Sequence, residues 1–508
     1  MARRSLVRVA GIAAFASLVV ALVPAAGAGA KAKTQKEQYI PRVDYPGVQH
    51  LRYRLGPIRI RGGADDIQIR DIPDDLRPKV PGWITRFKPT LTLADGSLPS
   101  VDVIHLHHAV WLVNYQPTYA AGEEKTIVQM PKGFGARYTP GQSWALNDMI
   151  HNLETTPRDV YVVWDIDFVP DTSPAAATIK PLGSKWMDVA GSSIYPVFNA
   201  YRRDGNKKGL YTFPTDARGL ERSKIGPDQT WTVPQDMTLI QTAGHLHPGG
   251  LYTDLFVTRD GVKKRLFRSN AKYYGPAGPT TWDVSMEATA PDWRVKLKKG
   301  DVVSVTATYN VKKASWYEGM GIMVLATYPG TDVGGVDPFV TTPNLQGILT
   351  HGELIENKDT AGGPIGLPDP SAMTTTPFTG GTLGISDYFY AKGDLNKGSK
   401  VPVIKPGQTL TFDNSDWGSE QLLHTVTACA APCNRRGGIS FPLADGPVEF
   451  DSGNLGVTPI APNFGAGRTT WTTPSNLKAG TYTYFCRIHP FMRGAFEVAG
   501  AKKKRKKA

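Results

Sequence analysis

The residues best suited to chemistry lie near the C-terminus. Cys486-Arg-Ile-His489-Pro-Phe-Met492 puts a thiolate, an imidazole and a thioether within one short stretch. Soft and borderline donors of this kind, joined by a second imidazole, form the donor set of a one-electron copper centre. The run Thr481-Tyr-Thr-Tyr-Phe-Cys486 reads as a strand that delivers the sulfur at its end. A loop would then fold His489 and Met492 back. His424, in the apolar run Leu422-Leu-His424-Thr-Val-Thr, supplies the second imidazole. The other two of the 3 cysteines, Cys429 and Cys433, are spaced for a small local disulfide in an exported protein, which leaves Cys486 as the metal thiolate.

The chain has 10 histidines, and most of the others cluster in three places. These are Ile104-His105-Leu-His107-His108, Met149-Ile-His151-Asn and Gly244-His245-Leu-His247. Side chains two apart on a strand share a face, so His245 and His247 can reach one metal, and His105 and His107 can do the same. Imidazole suits copper, zinc, iron and nickel, so these residues alone do not choose the metal.

Such donors need strands to hold them, and the composition supplies strands. With 53 glycines, 40 prolines, 10% aromatic and 20% charged residues, the chain reads as short strands joined by turns, not as a helical bundle. Val160, Val162, Trp164, Ile166 and Phe168 alternate with more polar neighbours, as do Val303, Val305, Ala307 and Tyr309. This period marks half-buried strands of antiparallel sheets. Residues 357–379, rich in Gly, Pro and Thr, read as an interdomain linker.

Arg3, Arg4 and Arg8 precede an apolar stretch and small residues up to Ala30, so residues 1–30 read as a secretory signal. Residues 500–508 form a basic tail. These two ends hold most of the net charge of +13, so no nucleic-acid partner is expected. The tail is expected to meet an anionic cell surface, and the protein to be secreted or extracytoplasmic.

Residues 380–499 resemble the cupredoxins of plastocyanin and amicyanin type. The resemblance rests on Gly407-Gln-Thr-Leu-Thr-Phe-Asp-Asn, on Ala479-Gly-Thr-Tyr-Thr-Tyr-Phe-Cys486 and on the C-x-x-H-x-x-M loop. It implies a Greek-key sandwich with His424, Cys486, His489 and Met492 as type 1 copper ligands.

The preceding region resembles the copper type II monooxygenases, the family of peptidylglycine α-hydroxylating monooxygenase and dopamine β-monooxygenase. That family's His-His pair, single His, His-x-His and later Met match His107-His108, His151, His245-x-His247 and Met320 in order. The resemblance implies two β-sandwiches, at residues 38–195 and 196–345. It implies one copper on His107, His108 and His151 that passes electrons. It implies a catalytic copper on His245, His247 and Met320 that binds dioxygen and takes hydrogen from a C–H bond. Strand geometry keeps two alternatives open. Neighbouring strand residues face opposite ways, so His108 shares a metal with His107 only at a bulge or strand end, and otherwise His105 replaces it. Met323 competes with Met320. Ala243 and Val324 stand where the peptide-processing member carries its substrate-binding Arg and Tyr, so a peptide carboxylate is not an expected substrate.

The resulting expectation is an exported, all-β, three-domain multi-copper redox protein. Its first two domains would act as a copper monooxygenase on an organic substrate with dioxygen. The cupredoxin would relay electrons from an external donor. The competing class is a non-enzymatic copper-binding or electron-transfer protein in which only the cupredoxin is redox active. A multicopper oxidase is disfavoured, because Phe485 and Arg487, not histidines, flank Cys486.

Overall fold

The computed structural model describes residues 37–500, apart from 65–66, 102, 123–124, 155, 192–195, 275–282, 313–314, 355–367, 417–421, 430–447, 457–466 and 490. The expected signal, the basic tail beyond Gly500, Cys433 and the Cys429 side chain lie outside the described residues. The fold is all-β, with three sandwich-like cores. Among the described residues no helix is long and apolar enough to cross a membrane.

In the first sandwich, the strands Gln49–Ile60, Arg158–Pro170 and Gly82–Leu93 pair side by side in one sheet, with Gln49–Ile60 at its edge. The other sheet orders Ile67–Asp71, Trp144–Asn152, Ile104–Val113 and Gln116–Gly122. The alternation read at Val160, Val162, Trp164, Ile166 and Phe168 faces inward as expected, against Leu106, Trp111 and Ile150 of the opposing sheet. Deletion of such side chains removes both transfer free energy and packing, so this interface holds the His-bearing strands rigidly.

The strand Ile104–Val113 carries three histidines, and one irregularity decides where they point. His105 pairs with His151 and Leu106 with Ile150, but His108 pairs with Met149. His107 is therefore the extra residue of a β-bulge. Leu106, Ala109 and Trp111 belong to the core. His108 takes the register place that His107 would have had, and so falls on the same outer face as His105.

The second sandwich orders Gly183–Asp188, Gly321–Tyr328, Met237–Leu246, Val284–Thr289, Val262–Tyr273, Gly250–Arg259, Val302–Asn310 and Leu210–Phe213. Its sheet thus takes a strand from ahead of residue 196. Val303, Val305, Ala307 and Tyr309 are buried in its core, as their alternation requires.

The third sandwich pairs Thr375–Pro377, Val401–Ile404, Arg493–Val498, Gly480–Phe485, Thr427–Cys429 and Val448–Asp451 in one sheet. Thr382–Ser386 and Thr411–Asn414 run parallel in the other. Strand Thr375–Pro377 lies within the stretch read as a linker, whose last residues are thus part of this sheet. Thr427 stands opposite Phe485, so His424 and Cys486 emerge at the same end of the sheet.

Candidate metal centres

At that sheet end, Cys486 Sγ lies 3.8 Å from His424 Nδ1 and 3.6 Å from His489 Nδ1. The two Nδ1 atoms are 3.0 Å apart. All three residues are fully buried, and so is Met492. The ligand loop is closed by backbone bonds: the Cys486 N–H donates to the Met492 carbonyl (3.2 Å) and the Met492 N–H to the His489 carbonyl (2.8 Å). The Thr425 N–H (3.3 Å) and the His489 N–H (3.4 Å) donate to the sulfur. Burial pushes the thiol up, but His424 and these N–H groups more than offset it and hold Cys486 below its ordinary value. Burial likewise disfavours a charged His424, yet the Asp416 carboxylate and the Cys486 sulfur hold it up at about 9. Asp416 Oδ2 accepts from His424 Nε2 at 2.9 Å. This fixes the tautomer and aims Nδ1 at the sulfur, the usual task of a carboxylate behind a metal-binding histidine. Nothing local in the sequence marks Asp416 for this role.

A second cluster lies in the first sandwich. The ligand atoms of His105, His107 and His151 all fall within 4.8 Å of one another, and all three residues are buried. The His105 Nδ1–H donates to the Val101 carbonyl (2.9 Å), which turns Nε2 toward the cluster. Burial pushes His105 down to about 4, and His107 and His151 well below their ordinary value. All three are therefore neutral imidazoles with lone pairs to offer. Both ring nitrogens of His151 are buried with no hydrogen-bond partner. An unmet buried polar atom costs about 1–3 kcal/mol, and a metal ion bound to these imidazoles would meet it, so the residues fit one. The trio differs from the expected His107, His108 and His151. His105 stands directly opposite His151 across the strand pair and joins His107, while His108, beyond the bulge, turns to Asn147 Oδ1 (3.4 Å).

The expected pair His245 and His247 stand with ring centres 5.3 Å apart, about as close as those of His105 and His151 (5.2 Å). The His247 Nδ1–H donates to the Glu318 carbonyl at 2.5 Å. Its ring stands 4.8 Å from that of His107, centre to centre. His245 and Met320 line a cavity of about 480 Å³ together with His108. Met323 points into the core of the second sandwich, so Met320 is the methionine that faces the site.

The two clusters touch. The ring centres of His151 and His489 are 6.3 Å apart. Around them the third sandwich is held by buried polar contacts. The Arg487 guanidinium, fully buried, lies 3.4 Å from the centre of the Tyr317 ring. The Asn454 amide donates to Glu318 Oε1. Glu318 therefore holds His247 through its carbonyl and the third sandwich through its carboxylate. It does so at φ +54°, a left-handed conformation that costs a non-glycine residue about 1–3 kcal/mol. Gly63, at φ +69°, lies so near Tyr388 that a Cβ there would come within 2.3 Å of its ring. The Tyr388 ring in turn stands 5.0 Å from His489 and 5.8 Å from His424.

No family model and no curated protein matches this chain. Among solved structures, the Cu(I) form of an amicyanin mutant aligns with 26% of this chain and 90% of its own, at 19% identity and a TM-score of 0.15. A Cu-containing nitrite reductase from Thermus scotoductus aligns with 78% of this chain and 87% of its own, at 12% identity and a TM-score of 0.16. The PBCV-1 virus capsid aligns with 62% of this chain and 99% of its own, at 8% identity and a TM-score of 0.22. Scores this low leave the strand pairing and the donor sets to speak for themselves.

Proposed function

We propose that this is an exported copper redox protein whose cupredoxin-like unit exchanges electrons with an oxygen-activating region in the first two sandwiches. His424, Cys486, His489 and Met492 would hold a type 1 copper, and His105, His107 and His151 a second copper. His245, His247 and Met320, with His108 beside them, offer donors for a third next to the cavity. Bound copper would supply one-electron redox chemistry at the buried centres and dioxygen activation beside the cavity. The protein's own part is positional. Asp416 and two backbone N–H groups orient the thiolate site, and the Val101 and Glu318 carbonyls set the tautomers of His105 and His247. The sandwich cores exclude water from both clusters. The reading is carried by the 6.3 Å approach of His151 to His489, which brings two separate donor sets into one buried run of imidazoles.

The resemblance to copper monooxygenases supports a C–H substrate, dioxygen and an external electron donor, and the basic tail supports an anionic surface as anchor. Metal analysis with optical and paramagnetic-resonance spectra tests the reading. Near three coppers per chain, one with an intense thiolate band, together with dioxygen uptake on adding reductant, are expected. A single copper per chain without dioxygen uptake would favour the second reading, an electron-transfer protein. That reading draws on the complete burial of His105, His107 and His151, which keeps small molecules from their metal.

A further inference from the structure

The cavity beside His108, His245 and Met320 has a floor whose chemistry can be read row by row. Asp188 pairs with Ile322, which pairs with His245 on the next strand. Two residues along, Trp186 pairs with Val324, which pairs with Ala243. On a pleated sheet such rows point the same way, and all six residues line the cavity. One row ends on His245. The row beside it is wholly apolar.

No Lys, Arg or Glu among the described residues lines this cavity. Of its two aspartates, Asp228 is answered by Lys185 Nζ at 3.4 Å. Asp188 is 1% exposed, and burial drives its carboxyl well above the ordinary carboxylate range, so it stands as a neutral acid. Its Oδ1 accepts from the Ala190 N–H (3.0 Å), and the Trp186 side chain lies against the same carboxyl, which is closed off from the cavity's water-accessible space. The volume, about 480 Å³, falls within the range of small-molecule sites, roughly 300–1,000 Å³.

We infer that this cavity binds a small, uncharged, largely apolar molecule and that it rejects anions. The physical reason is one of cost. In the metal-free protein an anion placed there would lose its hydration with no Lys or Arg to replace it, whereas an apolar skeleton gains by leaving water. A copper ion on His245 would add a cation, so the anion comparison is read on the metal-free chain. The inference rests on the proposed function only in taking the cavity as the substrate site.

Two fluorescent probes of closely related skeleton test it on the full chain, metal-free and copper-loaded. N-phenyl-1-naphthylamine is neutral, and 8-anilinonaphthalene-1-sulfonate carries a sulfonate. On the metal-free chain the neutral probe should bind once per chain and at least tenfold more tightly than the sulfonate. Ala243→Arg should reverse that order, and Val324→Phe should weaken the neutral probe by filling the floor. The thiolate band of the copper-loaded variants reports whether they fold, and Val324→Phe serves if Ala243→Arg does not. Equal binding of the two probes, or an affinity for the neutral probe unmoved by Val324→Phe, would overturn the inference. Dioxygen uptake is read separately. Its absence with neutral-probe binding intact refutes the proposed function and leaves the binding class standing. Its presence with sulfonate preferred does the reverse.

Discussion

Asp416→Asn gives the sharpest test of how the thiolate centre is built. Three donors converge on the two carboxylate oxygens. The Asp387 N–H meets Oδ1 at 2.8 Å, and the Tyr388 N–H (3.3 Å) and His424 Nε2–H (2.9 Å) meet Oδ2. An amide of the same shape has one acceptor oxygen and one NH₂. Whichever way it is turned, a donor then faces a donor, and at least one charge-assisted bond is lost. Such a bond is worth about 1.5–3 kcal/mol in a buried setting. At about 1.4 kcal/mol per decade, copper should bind roughly 10–100-fold more weakly, the usual penalty for losing a carboxylate behind a ligand histidine. Competition against a chelator, followed at the thiolate band, measures the loss. Asp416→Ala, which removes the clash but also the acceptor, should fall in the same range. If both variants bind copper within threefold of the parent, the carboxylate does not position His424 and the account of the site is wrong.

Other outcomes follow from the same structure. His151→Ala should lower bound copper by one equivalent and leave the thiolate band unchanged, as seen by metal analysis and absorption on one sample. Trp164→Ala, at the centre of the first core, should destabilise that sandwich by about 3–5 kcal/mol in denaturant unfolding. Asp148 is pushed up to about 6, chiefly by burial and against the pull of Arg70. The folded state then holds its proton more tightly than the unfolded chain, so the parent should lose stability as pH rises from about 4 to 6 and stay level above. The loss at this site is about 3 kcal/mol at most. Asp148→Asn should show none of that slope in pH-resolved thermal melts, and an identical slope in both proteins would exclude Asp148 as its source. Arg487→Met keeps the volume but leaves Asp451, 3.5 Å from Nε, without its cation. A destabilisation of about 3–5 kcal/mol is expected from chemical denaturation, and no change would mean that this ion pair does not stabilise the third sandwich.

Much of this was legible in the residues. The inward faces at Val160 to Phe168 and Val303 to Tyr309 follow from alternation alone, because one strand carries its own record of which side is buried. The Cys486–Met492 loop is legible for a similar reason, since three donors sit within one short stretch of backbone. Strand periodicity leaves open the choice between His105 and His108, and only the cross-strand register settles it, because a bulge is a property of two strands. Only the pairing of His108 with Met149 shows that His107 is the extra residue. The orientation of His247 turns on the Glu318 carbonyl, which any residue type could have supplied. The meeting of His151 with His489 depends on how whole sandwiches pack, and no local pattern encodes that.

Gly63 gives this packing a simple meaning. A hydrogen atom is all that stands between its backbone and the Tyr388 ring, and Tyr388 leans on both histidines of the thiolate centre. Any larger residue would act as a wedge, levering the third sandwich away from the first. Electron tunnelling weakens steeply with every ångström of gap. In the proposed function, the speed of the protein would then be set at a position that carries no side chain and performs no chemistry.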